Sequence, residues 1–293
     1  MSTPMKHTKK NDDHRSVVMI GDTAVGGQSV PVIAGPCAVE SYEQLKHVAE
    51  TLVQSGVKCI RGGAFKPRTS PYSFQGMGME GLMLLDQIRK EYNLAAVTEV
   101  MSVEQIGMAQ DYVDCLQVGA RNMQNFDLLK ALGQQRKPVL LKRGLTATLQ
   151  EFLMAAEYIL AGGNNDVILC ERGIRSFDTE TRNVLDVGAI ARLKEMTHLP
   201  VIGDPSHATG KRSLVAPAAK ACVAVGADAI IVEAHPVPHE SVSDADQALC
   251  LDELSQLVSD LHLVATAVGR PSTATERMDE AKRPLERRLR VAV

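Results

Sequence analysis

The segment from residue 61 to 70, RGGAFKPRTS, concentrates cationic and hydroxyl side chains in a glycine-containing loop. Arg61, Lys66 and Arg68 stand within eight residues, and Thr69 and Ser70 follow them directly. The whole chain carries a formal net charge of −3, so this cation cluster is a local feature. Guanidinium, ammonium and hydroxyl groups are the donors that proteins use to hold phosphate groups. The segment therefore predicts a site for a phosphorylated ligand.

Cations also follow other short apolar segments of the chain. They are Arg121 after CLQVGA, Lys142 and Arg143 in PVLLKRG, and Arg172 in DVILCERG. A single cation in such a position is often solvated surface. If all these segments are strands of one barrel, however, their cations converge, and their repulsion is hard to explain without a bound polyanion. Because a phosphate carries about −1.5 to −2 charges near neutral pH, the set suits two phosphorylated ligands, or one ligand with an added carboxylate.

A second set of chemically capable residues is Cys37, His207, Glu233 and Asp244. A thiolate, an imidazole and two carboxylates form a ligand set that suits Mn²⁺, Fe²⁺, Co²⁺ or Zn²⁺ better than Ca²⁺. Each residue alone has a simpler interpretation, with Cys37 as a small buried residue and His207 as a capped loop histidine. The metal hypothesis depends on a fold that brings all four together.

The elements that must position these residues repeat as strand, turn and amphipathic helix. Strand candidates lie at residues 31–37, 58–63, 95–100, 115–120, 138–144, 166–173, 200–206 and 229–236. Gly56, the pair Gly162 and Gly163, and Gly226 stand where helix patterns stop before the next strand. Eight such units in roughly 230 residues predict an α/β (β/α)8 TIM barrel. A doubly wound sheet would more often carry a GxGxxG turn after its first strand, and this chain has none.

In such a barrel the functional side chains stand at the C-terminal ends of the strands. Strand 8 neighbours strands 7 and 1 when the barrel closes, so the four residues of the second set can meet. Strand ends also carry Glu99, Gln117 and Asp204, which could position ligand or water. His235 and His239 suit a supporting or surface role. The remaining cysteines are predicted to pack in the core: Cys59, Cys115, Cys170, Cys222 and Cys250.

Three parts of the chain are expected. Residues 1–15 are predicted to form a flexible N-terminus. Residues 16–268 are predicted to form the catalytic barrel, including a small hairpin at 16–30, where the sequence alternates and contains Gly26 and Gly27. Residues 269–293 are charged, contain two prolines and are predicted to form a flexible or partner-docked tail.

The composition excludes several classes of protein. The net charge of −3, the absence of Trp and an aromatic content of 3% argue against nucleic-acid binding. The chain has no run of about 18 apolar residues, so the sequence predicts no membrane-spanning helix. Six cysteines without a CxxC spacing, and a polar start without an apolar signal segment, indicate a cytoplasmic protein with reduced thiols.

Seven segments of the chain resemble one enzyme family closely. They are IAGPCAVES, RGGAFKPRTSPYSFQG, QVGARNMQN, LLKRG, ILCERG, GDPSHATGKR and IIVEAHPVP. In order and content they resemble the 3-deoxy-D-arabino-heptulosonate 7-phosphate (DAHP) synthases of the shorter bacterial type, whose barrel also resembles that of 3-deoxy-octulosonate 8-phosphate synthase. The resemblance covers about residues 16–262. It implies a metal-dependent condensation of phosphoenolpyruvate with erythrose 4-phosphate, the entry step of the shikimate pathway to aromatic amino acids.

The resemblance also assigns roles to residues. It implies that Cys37, His207, Glu233 and Asp244 bind the metal. Those implied for phosphoenolpyruvate are Arg61, Lys66, Arg121, Lys142 and Arg172, and those for erythrose 4-phosphate are Lys66, Pro67, Arg68 and Thr69. The octulosonate synthases carry an Asn-Arg-Ser-type segment at this place. The KPRTS segment of this chain therefore favours the four-carbon sugar, erythrose 4-phosphate. Lys66, Cys37 and His207 are the predicted catalytic residues, and Lys66 and a metal-bound water are candidates for proton transfer.

Three other functions remain open at this point. An octulosonate synthase would run the same chemistry on arabinose 5-phosphate. A Schiff-base aldolase would use Lys142 as its nucleophile and would tolerate EDTA. A non-catalytic sensor would only bind phosphorylated metabolites. We expect a homo-oligomer, a dimer or a tetramer. Because the chain leaves no room for a fused regulatory domain, control within the chain is not expected, and regulation by a partner in trans stays open.

Overall fold

A closed barrel of eight parallel strands forms the centre of the protein. The structure is a computed structural model, and it describes residues 4–67 and 70–270. The barrel strands are β3 (Val32–Gly35), β4 (Cys59–Arg61), β5 (Ala95–Glu99), β6 (Cys115–Val118), β7 (Val139–Lys142), β8 (Val167–Glu171), β9 (Val201–Gly203) and β10 (Ile230–Glu233). Each pairs with the next along the chain, and β10 closes the barrel by pairing with β3, Glu233 opposite Gly35. The predicted (β/α)8 barrel is confirmed, and every strand lies inside its predicted range.

Helices surround the barrel. They are α1 (Tyr42–Gln54), α2 (Met79–Glu91), α3 (Val103–Ala109), α4 (Phe126–Gly133), α5 (Leu149–Gly162), α6 (Val187–Met196), α7 (Pro205–Thr209), α8 (Arg212–Ala224) and α9 (Leu251–Ala267). The boundaries of α5 show how the sequence sets them. Thr148 and Glu151 form a reciprocal capping box at its start, and Gly163 ends it with a left-handed backbone, φ 112°. Among the described residues no helix is long and apolar enough to cross a bilayer.

A small antiparallel hairpin precedes the barrel, as predicted. Its strands are β1 (Val18–Ile20) and β2 (Thr23–Val25). The turn lies at Gly21 and Asp22, whereas the pair Gly26 and Gly27 follows β2. The hairpin side chains Val18, Ile20 and Val25 join the apolar cluster inside the barrel. The hairpin therefore closes the N-terminal end of the barrel, which we call the floor.

The barrel interior next to the floor is apolar. Its inward side chains include Ile33, Cys59, Val97, Cys115, Leu140, Ile168, Cys170, Ile202 and Ile231. The predicted core position is confirmed for four of the five remaining cysteines, because Cys59, Cys115, Cys170 and Cys222 are buried and free. Cys250 is different: it is half-buried and precedes α9, where its amide donates to Glu253 at 2.8 Å.

The N-terminal segment, which lies in the range predicted to be flexible, contacts α5 and the C-terminal end of α6. The amides of Lys6 and His7 donate to the Glu157 carboxylate of α5, at 2.8 and 3.0 Å. The Thr197 hydroxyl donates to the His7 carbonyl at 2.6 Å, and His7 is buried. These contacts attach the segment at Lys6 and His7 to the helices around the barrel, and the flexibility of residues 1–15 stays a prediction. Of the predicted tail, residues 271–293 lie outside the described residues.

Candidate active site and metal centre

Polar and charged side chains point inward at the C-terminal ends of the strands. Each stands two residues after an apolar inward residue, because side chains alternate across a strand. They are Arg61, Glu99, Gln117, Lys142, Asp204 and Glu233. The same strands therefore change from an apolar floor to a charged mouth within two residues.

A cavity of about 250 Å³ opens at this mouth. Its cationic lining consists of Lys66, Arg121, Lys142, Arg172 and Arg182. Four of these five are cations that the resemblance assigns to phosphoenolpyruvate, and Pro67 also lines the cavity. Arg68 and Thr69, expected to hold the second phosphate, lie outside the described residues.

Arg172 is the clearest sign that the cavity is built for an anion. Its side chain is only 5% exposed, and its Nη1 has no hydrogen-bond partner among the described residues. Burial lowers the pKa of Arg172 below its ordinary value, because the charged form loses water and the charge of Asp204 offsets this only in part. A buried guanidinium with an unpaired N–H costs free energy that an anionic ligand would recover.

Carboxylates interleave with the cations at the mouth, a feature that the sequence argument did not count. Lys142 donates to Asp204 at 2.6 Å, and Arg61 lies 3.4 Å from Glu233, without hydrogen-bond geometry. The mutual repulsion of the cations is therefore partly offset inside the protein. The need for an anion rests on Arg172 and on the cavity rather than on the number of cations.

The four residues predicted to bind metal meet beside this cavity. The ligand atoms of Cys37, His207, Glu233 and Asp244 all lie within 4.8 Å of one another. His207 Nε2 lies 3.2 Å from Glu233 Oε1, and Cys37 Sγ lies 3.0 Å from Asp244 Oδ2. His207 and Asp244 also line the cavity, so a ligand in the cavity can reach the cluster.

Two observations indicate that the cluster fits a divalent cation. Glu233 is fully buried, and its Oε1 faces the cluster without a hydrogen-bond donor among the described residues. Asp204, the N-cap of α7, accepts from the His207 backbone at 3.0 Å and lies 2.8 Å from the ring Nδ1. A proton held on Nδ1 leaves Nε2 free as a ligand atom, the usual arrangement behind a metal-binding histidine.

The pKa values of the cluster are shifted because its ionisable groups are buried and lie close to one another. Burial alone would raise the pKa of Glu233, but His207 and Arg61 outweigh it and hold the pKa well below its usual range. Burial and the Glu233 charge raise the pKa of the Cys37 thiol, although Lys66 opposes the rise. A bound cation reverses this for the thiol, because a coordinating cysteine is deprotonated.

Lys66 connects the cavity to the cluster. Its ammonium donates to Cys37 Sγ at 2.8 Å and to the Cys37 carbonyl at 2.9 Å, and the side chain lines the cavity. Burial would lower the pKa of Lys66, but Cys37 and nearby carboxylates raise it above its usual value. Lys66 therefore places a favoured positive charge between the two parts of the site.

Arg143 does not belong to the mouth, although it follows Lys142 directly. Successive side chains of a strand point to opposite sides, so Arg143 points away from the barrel interior. It donates to Glu171 at 2.8 Å and to the Ala147 carbonyl at 2.9 Å, and it lies 3.3 Å from Asp186. Its charge is thus used inside the fold, and the interpretation of Arg143 as a mouth cation is wrong.

Other side chains near the site fall into supporting positions. His235 lies 3.4 Å from Glu40, whose carboxylate also accepts from the Val242 amide in the loop that carries Asp244. Gln117 donates to Glu99 at 3.1 Å, and Glu99 lines the cavity.

The sequence reasoning did not single out Arg182 and Gln247, which contact the metal-ligand candidates. Gln247 stands three residues after Asp244, which is a weak sequence signal.

The mouth joins a cavity lined by cations to a cluster of side chains that could hold a metal ion, as expected of a (β/α)8-barrel enzyme that acts on anionic substrates. Comparison with known families makes the assignment specific. Residues 6–268 match the DAHP synthetase I family, and the chain belongs to this family.

Individual relatives agree with this assignment. The chain is 47% identical over 254 residues to a phospho-2-dehydro-3-deoxyheptonate aldolase of Thermotoga maritima, covering 87% of this chain and 75% of the relative. It is 33% identical to a 2-dehydro-3-deoxyphosphooctonate aldolase of Magnetococcus marinus, covering 82% and 90%. A crystal structure of the Thermotoga maritima phospho-2-dehydro-3-deoxyheptonate aldolase (DAHP synthase) superposes with a TM-score of 0.89 at 44% identity, covering 92% of this chain and 79% of that one. A truncated form of the Thermotoga maritima synthase gives a TM-score of 0.85 at 41% identity, covering 91% and 98%.

Proposed function

We propose that this protein condenses phosphoenolpyruvate with D-erythrose 4-phosphate to give DAHP and phosphate, as the metal-dependent first step of the shikimate pathway. The observation that carries the proposal is the contact of Lys66 with both the cation-lined cavity and Cys37 of the ligand cluster. Family membership and the name of the Thermotoga relative support the reaction type. The six free cysteines fit a cytoplasmic enzyme.

The cations of the cavity would bind the phosphate and carboxylate of phosphoenolpyruvate. Arg172 offers an unpaired N–H, and Arg121, Lys142 and Lys66 surround the same space. Holding both anionic groups fixes the enol face toward the cluster and converts the reaction into an effectively unimolecular step. Arg61, beneath the cavity beside Glu233, would add positive potential at the point where charge moves.

The ligand cluster would hold a divalent ion, Mn²⁺, Fe²⁺, Co²⁺ or Zn²⁺, through Cys37, His207, Glu233 and Asp244. Such an ion supplies Lewis acidity that polarises an aldehyde carbonyl. In the reaction, C3 of phosphoenolpyruvate forms a bond to the aldehyde carbon, water adds at C2, and the C2–O bond to phosphate breaks. Lys66, whose charged form is favoured here, would give a proton to the new hydroxyl oxygen. Asp204 would keep His207 in the ligating tautomer throughout.

The direct test is phosphate release from phosphoenolpyruvate in the presence of erythrose 4-phosphate. We expect activity that EDTA abolishes and Mn²⁺ restores. Arabinose 5-phosphate in place of erythrose 4-phosphate separates the octulosonate reaction, and we expect the five-carbon sugar to be the poorer substrate. Preferred use of arabinose 5-phosphate would contradict the assigned sugar and leave the metal site standing.

The Schiff-base alternative has a separate readout. Its nucleophile must be a neutral amine, whereas Lys142 donates to the buried Asp204 carboxylate at 2.6 Å. We expect borohydride with either substrate to trap no covalent adduct. An adduct on Lys142, with activity that survives EDTA, would overturn the proposed mechanism.

A further inference from the structure

Two side chains that the predicted site did not include connect the two carboxylates of the ligand cluster. Arg182 Nη1 donates to Asp244 Oδ1 at 2.9 Å and to Gln247 Oε1 at 3.0 Å. Gln247 Nε2 in turn donates to Glu233 Oε2 at 2.6 Å. Asp244, Arg182, Gln247 and Glu233 therefore form one continuous chain of hydrogen bonds, which we call the carboxylate bridge.

The carboxylate bridge occupies one oxygen of each carboxylate and leaves the other toward the cluster. For Glu233, Oε2 accepts from Gln247, while Oε1 has no hydrogen-bond donor among the described residues and lies 3.2 Å from His207 Nε2. For Asp244, Oδ1 accepts from Arg182, while Oδ2 lies 3.0 Å from Cys37 Sγ. The two inner oxygens thus face the thiol and the imidazole.

The surrounding fold holds the carboxylate bridge in place. Gln247 is 2% exposed, and its amide donates to the Asp244 carbonyl at 3.3 Å. The Arg182 amide donates to the Thr209 carbonyl at 3.0 Å, and the neighbouring Asn183 side chain donates to the His207 carbonyl at 3.1 Å. The loop between β8 and α6 therefore contacts the segments of both His207 and Asp244.

We propose that Arg182 and Gln247 are positioning residues that make Glu233 and Asp244 bind the divalent ion through one oxygen each. The inference rests on the proposed metal site. A carboxylate with both oxygens free can rotate or bind in a bidentate way, whereas one anchored oxygen presents a single ligand atom with its direction fixed. The bridge also joins the two ligands, so loss of one member loosens both carboxylates.

The test measures metal affinity without substrate, because Arg182 also lines the cavity and activity alone would not separate the two roles. Mn²⁺ is titrated into the metal-free protein and the free ion is followed by electron paramagnetic resonance. We expect Gln247→Leu and Arg182→Gln each to raise the Mn²⁺ dissociation constant about 10–100-fold, the usual range for partners of metal ligands. Arg182→Lys should recover part of the affinity, because it keeps a positive charge near Asp244 but its shorter side chain cannot reproduce the position of Arg182 Nη1.

Lys211→Gln is the matched control. Lys211 is half exposed and lies 3.7 Å from Glu180, two residues before Arg182, so the variant removes a nearby positive charge without touching the bridge. We expect it to keep the wild-type dissociation constant. A loss of Mn²⁺ affinity in Lys211→Gln equal to that in Arg182→Gln would show that general charge matters and would overturn the proposal.

Cooperation within the bridge gives a second readout. The double variant Arg182→Gln with Gln247→Leu should lose much less affinity than the product of the two single losses, since the two residues act as one unit. The Co²⁺ complex of each single variant should keep its thiolate absorption from Cys37 with changed ligand-field bands. Single variants with wild-type Mn²⁺ affinity and Co²⁺ spectra would overturn the bridge. Wild-type protein that binds neither ion would instead contradict the proposed metal site itself.

Discussion

The two ends of the barrel use the same strands for opposite purposes. At the floor, the inward side chains are apolar and the hairpin residues Val18, Ile20 and Val25 pack against them. Two residues further along the strands, the inward side chains are charged, buried and paired, as Lys142 is with Asp204. Buried ion pairs contribute little net stability, because desolvation offsets most of their attraction. The floor must therefore supply much of the stability of the barrel, while the mouth supplies its chemistry.

Two cysteines sharpen this contrast most strongly. Cys37→Ala at the mouth removes a candidate ligand, and we expect kcat/KM to fall by more than about 100-fold, the upper range for residues that only support a ligand. Cys59→Ala at the floor removes one buried sulfur and should lower the free energy of unfolding by about 1 kcal/mol, with activity kept. Steady-state kinetics and urea unfolding of both variants measure the difference. Full activity of metal-loaded Cys37→Ala would refute the role of the thiol.

Lys142 and Arg143 allow a second comparison, because these neighbours on β7 point to opposite sides of the strand. Arg143→Met leaves Glu171 buried without its cation, and we expect the free energy of unfolding to fall by about 3–5 kcal/mol. The KM for phosphoenolpyruvate should stay close to the wild-type value, because Arg143 points away from the cavity. Lys142→Met also leaves a buried carboxylate, Asp204, without its lysine, but in addition it should reduce kcat/KM by about 100-fold or more through loss of anion contacts. A large rise in KM for Arg143→Met would place that residue in the site after all.

The floor itself can be tested at the hairpin. Ile20 is fully buried, whereas the neighbouring Met19 is 48% exposed. We expect Ile20→Ala to lower the free energy of unfolding by about 2–5 kcal/mol, since it opens a cavity where the hairpin meets the barrel. Met19→Ala, the matched control, should change it by less than about 0.5 kcal/mol. Both should keep wild-type kinetics at temperatures where they are folded, and equal losses for the two variants would contradict a plugging role for β1.

The sequence predicted the barrel well because each strand carries its own local signal. Apolar runs, helix patterns and stopping glycines are set by neighbouring residues, so the eight strands could be placed before their pairing was known. Because side chains alternate along a strand, Lys142 and its neighbour Arg143 must point to opposite sides of β7. The positions of the cations alone do not show which of these sides faces the barrel interior.

The parts that the sequence did not predict depend on contacts between distant segments. Arg182 and Gln247 are 65 residues apart, and nothing local in either segment marks them as partners. The pairing of the mouth cations with carboxylates was not predicted either, because the prediction considered only the cations that follow each strand. Glu157 is a single acidic residue in the largely apolar α5, and nothing near it in the sequence indicates its contact with a segment 150 residues away.

The contacts of the N-terminal segment give the smallest predicted effect. Burial opposes it, but the amides of Lys6 and His7 and the His7 side chain lower the pKa of Glu157 below its ordinary value. A lowered carboxyl pKa stabilises the folded state above the unfolded value of about 4.3, and the contribution disappears as the pH falls through the lower folded value.

We therefore expect Glu157→Gln to lower the free energy of unfolding by about 1 kcal/mol at pH 7 and by progressively less as the pH falls below about 4.3. Urea unfolding at pH 7, 5, 4 and 3 measures this convergence, with Glu195→Gln as the control on an exposed carboxylate. Proteolysis between residues 8 and 16 should also become faster in Glu157→Gln at pH 7, since its weaker contacts hold the segment less firmly. Kinetics should stay unchanged, because α5 and the attached segment contribute no catalytic group. A constant difference in stability at all four pH values would show that Glu157 acts through packing rather than through its charge.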